Sequence, residues 1–196
     1  EEFIREIYKV NPNTIVVLVA GSSLAINWMD ENIPAIVNAW YPGEQGGTAV
    51  ADVLFGDYNP GGRLPLTYYN TLSELPPFGD YDITKGRTYM YFKGKPLYPF
   101  GYGLSYTSFE YQDLHISDEG NTVRVSFNLK NTGKMDGDEV AQIYVRMPDV
   151  GITLSMKQLK GFKRVNVKQG EEQKIEIMIP KEELRYWDES KESFVV

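Results

Sequence analysis

The sequence predicts two parts of different class: a partial α/β unit with a parallel sheet over residues 1–70, and an all-β antiparallel sandwich over 108–196. A connector over 71–107 joins them. Three observations predict this. Residues 14–20 (T-I-V-V-L-V-A) are a continuous, β-branched run typical of a strand buried on both faces, and 35–40 make a second apolar run. Val123, Val125, Phe127 and Leu129, and later Ile175, Ile177 and Ile179, alternate with polar neighbours at the two-residue period of half-buried strands. Between them, 71–105 is dense in proline, glycine and aromatic residues and holds no period.

In order, Phe3, Ile4, Ile7 and Tyr8 share one helical face, and Asn11-Pro12-Asn13 ends that helix. The strand at 14–20 delivers Gly21-Ser22-Ser23 to its carboxyl end, the edge of an open α/β sheet where ligands bind. A short helix is expected at 24–29. About fourteen residues separate the two strands, enough for a crossover between parallel neighbours. After the strand at 35–40, Pro42-Gly43 breaks the run, and Thr48 is the expected N-cap of a helix. Val50, Val53 and Leu54 form its buried stripe, and Gly56 sits where a C-cap glycine stops it. Asn59-Pro60-Gly61-Gly62 turns the chain. Residues 64–69 read as a strand, at an edge because of Pro65. Two buried strands, an edge strand and a few helices enclose too little core, so more sheet is expected before Glu1.

Past Phe109, strands are expected around 123–129, 140–145, 159–167 and 175–179, with shorter ones at 184–187 and 194–196. Asn131-Thr132-Gly133, Met147-Pro148 and Gln169-Gly170 punctuate them, and Asp136-Gly137-Asp138-Glu139 reads as an acidic hairpin turn.

The literal residues carry more than the pattern. Trp40-Tyr41-Pro42-Gly43-Glu44-Gln45-Gly46-Gly47, with Ala51-Asp52-Val53-Leu54-Phe55-Gly56-Asp57-Tyr58-Asn59-Pro60 and Gly62-Arg63-Leu64-Pro65, closely resembles glycoside hydrolase family 3. So do Gly86-Arg87-Thr88-Tyr89-Met90-Tyr91-Phe92 and the run from Tyr98 to Thr107. The resemblance implies the end of that family's α/β sandwich domain followed by an immunoglobulin/fibronectin type III-like module, normally with a further strand beyond Val196. It implies a parent that hydrolyses terminal β-linked sugars (a β-glucosidase or β-xylosidase), exo-acting and retaining. Retention requires two carboxylic groups roughly 5–5.5 Å apart. In the family the nucleophilic aspartate comes from a barrel domain, and the glutamate acid/base lies before the strand that corresponds to 14–20. Neither catalytic residue is therefore expected here. The expected partners are an oligosaccharide or glycoside substrate and the missing N-terminal barrel. The family also implies a secreted or periplasmic protein.

Candidate substrate contacts are Glu44, Trp28, Arg87, Tyr89 and Tyr91. Glu44 lies in the Pro-Gly loop beside the ligand-binding edge; the alternative is that it orders that loop. Trp28, Tyr89 and Tyr91 have faces that stack on the C–H surface of a sugar, or else pack the connector. Arg87 either contacts a hydroxyl or carboxylate or anchors the connector. Asp52 faces outward or pairs with Arg63, Asp30 and Glu31 are surface charges, and His115, between Leu114 and Ile116, points outward.

Composition excludes other classes. The 196 residues are 42% hydrophobic and 24% charged, with net charge −7, so neither nucleic acid nor an anionic membrane is attracted. No apolar run approaches the roughly eighteen residues of a membrane helix. With no cysteine and one histidine there is no zinc cluster, and no metal or cofactor is expected. Gly43-x-x-Gly46-Gly47 lacks the Lys-Ser/Thr of a phosphate loop, and the 136–139 acidic run lacks calcium-loop spacing. A start at Glu1 without methionine or signal peptide points to a piece of a longer product. Two rival functions remain. One is a non-catalytic carbohydrate-binding or interaction module, which needs a planar row of exposed aromatics, whereas Tyr144, Phe162, Tyr186 and Trp187 occupy mostly core-like positions. The other is the smaller chain of a split glycosidase.

Overall fold

The computed structural model describes residues 1–146 and 154–195. The expected break at Met147-Pro148 and the final residue Val196 lie outside the described residues. The chain divides into two compact units. The first is Glu1–Tyr58 with Leu64–Tyr102, and the second is Asn59–Arg63 with Gly103–Val196. The segment 59–63 thus belongs with the sandwich, not with the helix it follows.

The first unit opens with helix α1 (Glu2–Val10), strand β1 (Ile15–Leu18), helix α2 (Asn27–Asn32) and strand β2 (Ala35–Asn38). The two strands pair in parallel, Val16 opposite Ile36 and Leu18 opposite Asn38. Val16 and Leu18 fall on one face by the period of two. That face carries the core, Val16, Ile26, Met29 and Ile33, against which Ile4 and Tyr8 of α1 pack. The expectation of a strand buried on both faces over 14–20 is corrected: Ile15 is 51% and Val19 61% exposed. Within this unit the helices cover one face of a two-stranded sheet, so the β-branched run has more apolar surface than the chain buries. α1 forms where expected, but Phe3 and Val10 face outward and only Ile4 and Tyr8 turn in.

α2 starts three residues later than the expected 24–29 helix. Helix α3 (Gly46–Phe55) begins at Gly46 with Gln45 as its N-cap, so Thr48 is a helical residue and caps nothing. The reason is local. Gly46 N–H donates to Gly43 O at 2.9 Å, closing the turn early. A Cβ on Gly46 would lie 2.4 Å from Pro42 Cβ, so the close approach of the Pro42 ring requires glycine. Gly56 ends α3 at φ 84° with its N–H on Val53 O, as the C-cap pattern predicts.

The strand expected at 64–69 does not form. Leu64 N–H donates to Tyr102 O, Gly101 N–H to Leu64 O, and Tyr68 pairs with Tyr98 as an isolated bridge. Pro65 has no N–H to continue a ladder between these contacts. The connector is also more ordered than its lack of period predicts. It holds helical turns at Leu72–Glu74 and Ile83–Lys85 and the four-residue helix α4 (Thr88–Tyr91).

The second unit is the expected sandwich. Strands β3 (Phe109–Asp118), β4 (Thr122–Asn131) and β7 (Glu172–Pro180) form one antiparallel sheet in the order β3-β4-β7. β5 (Gly137–Val145) pairs with β6 (Gln158–Val167), and β8 (Tyr186–Asp188) with β9 (Ser193–Val195). Phe127 opposes Ile175 and Val125 opposes Ile177, so the alternating residues of two strands meet on one face. Ala141 of β5 and Val167 of β6 close the core from the other sheet. The 136–139 run is no hairpin turn: Gly137, Asp138 and Glu139 open β5 and Asp136 precedes it. Asp138 accepts from Arg164 and Asn166, and Asp136 accepts from Gln169 N–H. His115 is exposed on β3, as expected, but Leu114 and Ile116 beside it are 67% and 61% exposed too. Asp113 at φ 54° and a register shift between Gln112 and His115 break the alternation there.

Candidate functional site

The carboxyl end of the β1–β2 sheet combines a left-handed turn, an exposed aromatic ring and Glu44. Ala39 N–H still donates to Leu18 O, so the parallel ladder runs one residue past β2. Trp40 then turns at φ 55°, a left-handed conformation that costs a non-glycine residue about 1–3 kcal/mol. Tyr41 follows, its ring over Gly21 in the loop after β1. A Cβ on Gly21 would lie 2.4 Å from Tyr41 Cε2, so the loop after β1 needs glycine for the ring to lie on it. Tyr41 is nevertheless 77% exposed, leaving most of the ring facing outward. Glu44 follows, exposed, in the loop that leads into α3. The positive φ of Trp40 and the seat for Tyr41 have no sequence signal, because nothing local marks the distant Gly21 as the partner.

The other sequence-predicted residues lie elsewhere in the unit. Trp28, on α2, meets Tyr8 edge-on at 5.7 Å, and the Arg5 guanidinium sits 4.3 Å above its ring. Arg87 directs its donors at backbone: Nε at Asp80 O (3.1 Å), Nη2 at Pro76 O (3.1 Å) and Pro77 O (2.8 Å). That is the anchoring alternative. Tyr89 stacks on Phe100 at 4.3 Å, and Tyr91 is the half-buried last residue of α4. The helix itself is set by Thr88, at φ 60°, whose N–H donates to Tyr69 Oη at 2.8 Å. So α4 brings Tyr89 and Tyr91 together beside Arg87, while Trp28 and Glu44 belong to other elements.

Below this edge a tyrosine cluster stiffens the unit. Asn38 donates to Tyr68 Oη at 2.8 Å, Tyr98 donates to Asp30 at 2.5 Å, and Tyr98 stacks on Tyr102. Burial, with the Asp30 carboxylate accepting from its hydroxyl, pushes the Tyr98 phenol well above its ordinary value.

The second unit holds a polar cluster that sequence reasoning missed. Arg63 donates to Glu139 Oε2 at 2.5 Å, and Tyr111 donates to Glu139 Oε1 at 2.9 Å. Of the two alternatives for Asp52, the pair with Arg63 does not form: the ion partner of Arg63 is Glu139. Phe162 and Trp187 are 67% and 47% exposed rather than core residues. Trp187 meets Phe194 edge-on at 75°, so the pair presents no coplanar platform for a sugar. Among the described residues no group of three or more His, Cys, Asp or Glu is placed to hold a metal, and no helix is long and apolar enough to cross a membrane.

Comparison with known proteins agrees with both units. Residues 1–106 match the glycosyl hydrolase family 3 C-terminal domain and 139–196 a fibronectin type III-like domain. A xylan 1,4-β-xylosidase of Xylanibacter ruminicola is 43% identical over 95% of this chain, which spans 22% of that protein. The β-glucosidase BoGH3A of Bacteroides ovatus is 37% identical over 99% of the chain, which spans 28% of it. Among solved structures, a β-glucosidase from Kluyveromyces marxianus in complex with glucose superposes with TM-score 0.90 at 34% identity, covering 98% of this chain and 25% of that one. β-Glucosidase 3B from Thermotoga neapolitana gives 0.85 at 34% identity, covering 92% of this chain and 28% of that one. With more than half its length in the family's C-terminal domain and the sandwich behind it, this chain belongs to glycosyl hydrolase family 3.

Proposed function

We propose that this chain is the C-terminal segment of a retaining, exo-acting β-glycosidase, a β-xylosidase or β-glucosidase, that hydrolyses terminal β-linked sugars. The observation that carries the reading is a disproportion: the chain aligns over 95% and 99% of its own length with two such enzymes yet spans only 22% and 28% of theirs. The nucleophile and the acid/base, which retention needs roughly 5–5.5 Å apart, come from the preceding part of the parent, including its barrel domain. This segment contributes the carboxyl edge of the β1–β2 sheet as a wall flanking the active site, with Tyr41 and Glu44 facing outward. The sandwich contributes stability. Trp28, Arg87 and Tyr89 act as packing groups elsewhere in the unit, where each already has a partner. The family resemblance supports a secreted or periplasmic parent.

The test compares the purified 196-residue chain with the intact parent polypeptide on aryl β-xyloside and β-glucoside. The parent turns over at least one of them and the chain neither. A parent that hydrolyses neither substrate refutes the reading.

A further inference from the structure

The loop before α4 is over-determined in its backbone and bare at its tip. The Arg87 guanidinium binds three carbonyls, those of Pro76, Pro77 and Asp80. Asp80 N–H donates to Pro77 O, and Asp82 N–H to Asp80 Oδ1. Asp82 Oδ1 accepts from both the N–H and the hydroxyl of Thr84, and Lys85 Nζ reaches Asp80 Oδ2 at 2.7 Å. Gly86 at φ 100° lets Arg87 turn back on the loop, its N–H on Ile83 O at 3.0 Å. What this frame holds out is two aromatic rings, Phe78 at 96% and Tyr81 at 88% exposure. The loop's own hydrogen bonds hold both rings outward, so their burial has to come from another surface.

We propose that Phe78 and Tyr81 are the anchor by which this segment docks on the covalently linked remainder of its parent enzyme, entering an apolar pocket there. The inference rests on the reading that the chain is part of a longer glycosidase, like the two relatives of which it spans 22% and 28%. Three physical points select this occupant. A buried Phe or Tyr covers about 150–250 Å², so the pair covers at most about 500 Å². By themselves the two rings therefore supply less than the roughly 800 Å² per partner typical of a stable complex of separate molecules, and do not alone hold a second copy of this chain. A tethered partner does not pay the entropy of bimolecular association, so the same area suffices. A sugar site, finally, combines ring stacking with polar groups that fix the hydroxyls. The carboxylates beside these rings are engaged by Lys85, Thr84 and the loop's own backbone, which leaves an apolar tip. Preorganisation by Arg87 then lowers the ordering cost of docking.

Hydroxyl-radical footprinting, with rates read residue by residue by mass spectrometry, tests this on the chain alone and on the intact parent. Phe78 and Tyr81 oxidise rapidly in the chain. In the parent both slow markedly, because water and radical are excluded from a desolvated pocket. Equal rates in the two forms overturn the proposal. So does protection that develops only on adding xylobiose or cellobiose, which assigns the rings to sugar. Protection in the isolated chain that rises with its concentration assigns them to self-association and overturns it as well. The readout is independent of catalysis: an inactive parent with protected rings refutes the proposed activity and leaves the anchor standing, whereas an active parent with unprotected rings refutes the anchor alone.

Discussion

Arg63 and Glu139 are 76 residues apart in sequence, yet the guanidinium meets the carboxylate at 2.5 Å with both side chains only 12% exposed. Tyr111 donates to the other carboxylate oxygen, so the charge is both paired and hydrogen-bonded. This is why 59–63 belongs to the sandwich unit. Asn59 adds to it, accepting from Ser105 Oγ and Tyr106 N–H and donating to Asp136 O.

Removing one partner strands the other. Glu139→Ala leaves a nearly buried guanidinium unpaired, and such a break costs about 3–5 kcal/mol. Urea unfolding of E139A is expected to show that loss, while R63M/E139L recovers much of it. A double variant as unstable as the single one contradicts the ion-pair explanation. By the same logic a piece cut at the predicted boundary, 108–196, lacks Arg63 and is expected to unfold in less urea than one that retains residues 59–63.

Asn131 is fully buried and uses its whole amide. Its oxygen accepts from Thr107 Oγ1 and Gly133 N–H, and its nitrogen donates to Met135 O and Val167 O. Asn131→Ala leaves these groups buried without partners, at about 1–3 kcal/mol per group before relaxation. The expected loss is roughly 3 kcal/mol or more in chemical denaturation. Asn131→Asp keeps the acceptor but loses the donor, and is expected to be no better.

The acid limb of stability follows from carboxylates whose folded values are depressed. Asn166 and Arg164 hold Asp138 below its ordinary value, Lys181 does so for Asp118, and Ser190 and Lys191 push Asp188 down to about 2. A depressed group contributes stability that is present above its unfolded value and lost as pH falls through the folded one. The loss is expected between pH 3.8 and about 2. Asp138→Asn flattens the fall in stability across that window; an unchanged slope contradicts the assignment.

The alkaline limb has the opposite sign. Burial and the adjacent Glu139 carboxylate raise the Tyr111 phenol above its ordinary 10.0, and burial with Asp30 raises Tyr98. A raised group gives stability that is full below its unfolded value and lost as pH climbs toward the folded one. Phenolate absorbance is expected to show late-titrating tyrosines, with Y111F and Y98F each removing one of them.

Legibility in the sequence tracked how local the deciding interaction was. The period of two placed β4 and β7, because Phe127 and Ile175 need only alternate to meet. Gly56 announced the end of α3 by the one conformation it adopts. The family resemblance was legible in literal motifs around Trp40 and Arg87. What stayed hidden depended on distant partners. The 14–20 run is apolar whether or not a neighbour covers it, so sequence could not show Val19 exposed. Thr48 has the chemistry of an N-cap, but the Pro42–Gly46 contact starts the helix earlier. Arg63, Tyr41 and Phe78 are set respectively by a strand 76 residues on, by a glycine in another loop, and by an arginine that braces the backbone.

The most direct measurement is hydrolysis of aryl β-xyloside and β-glucoside by the purified chain alone, beside its Glu44→Gln variant. A segment that flanks the active site without either catalytic carboxylate turns over nothing above background in both forms. Clear turnover by the chain that disappears in Glu44→Gln contradicts this, and places an acid/base in the loop between β2 and α3.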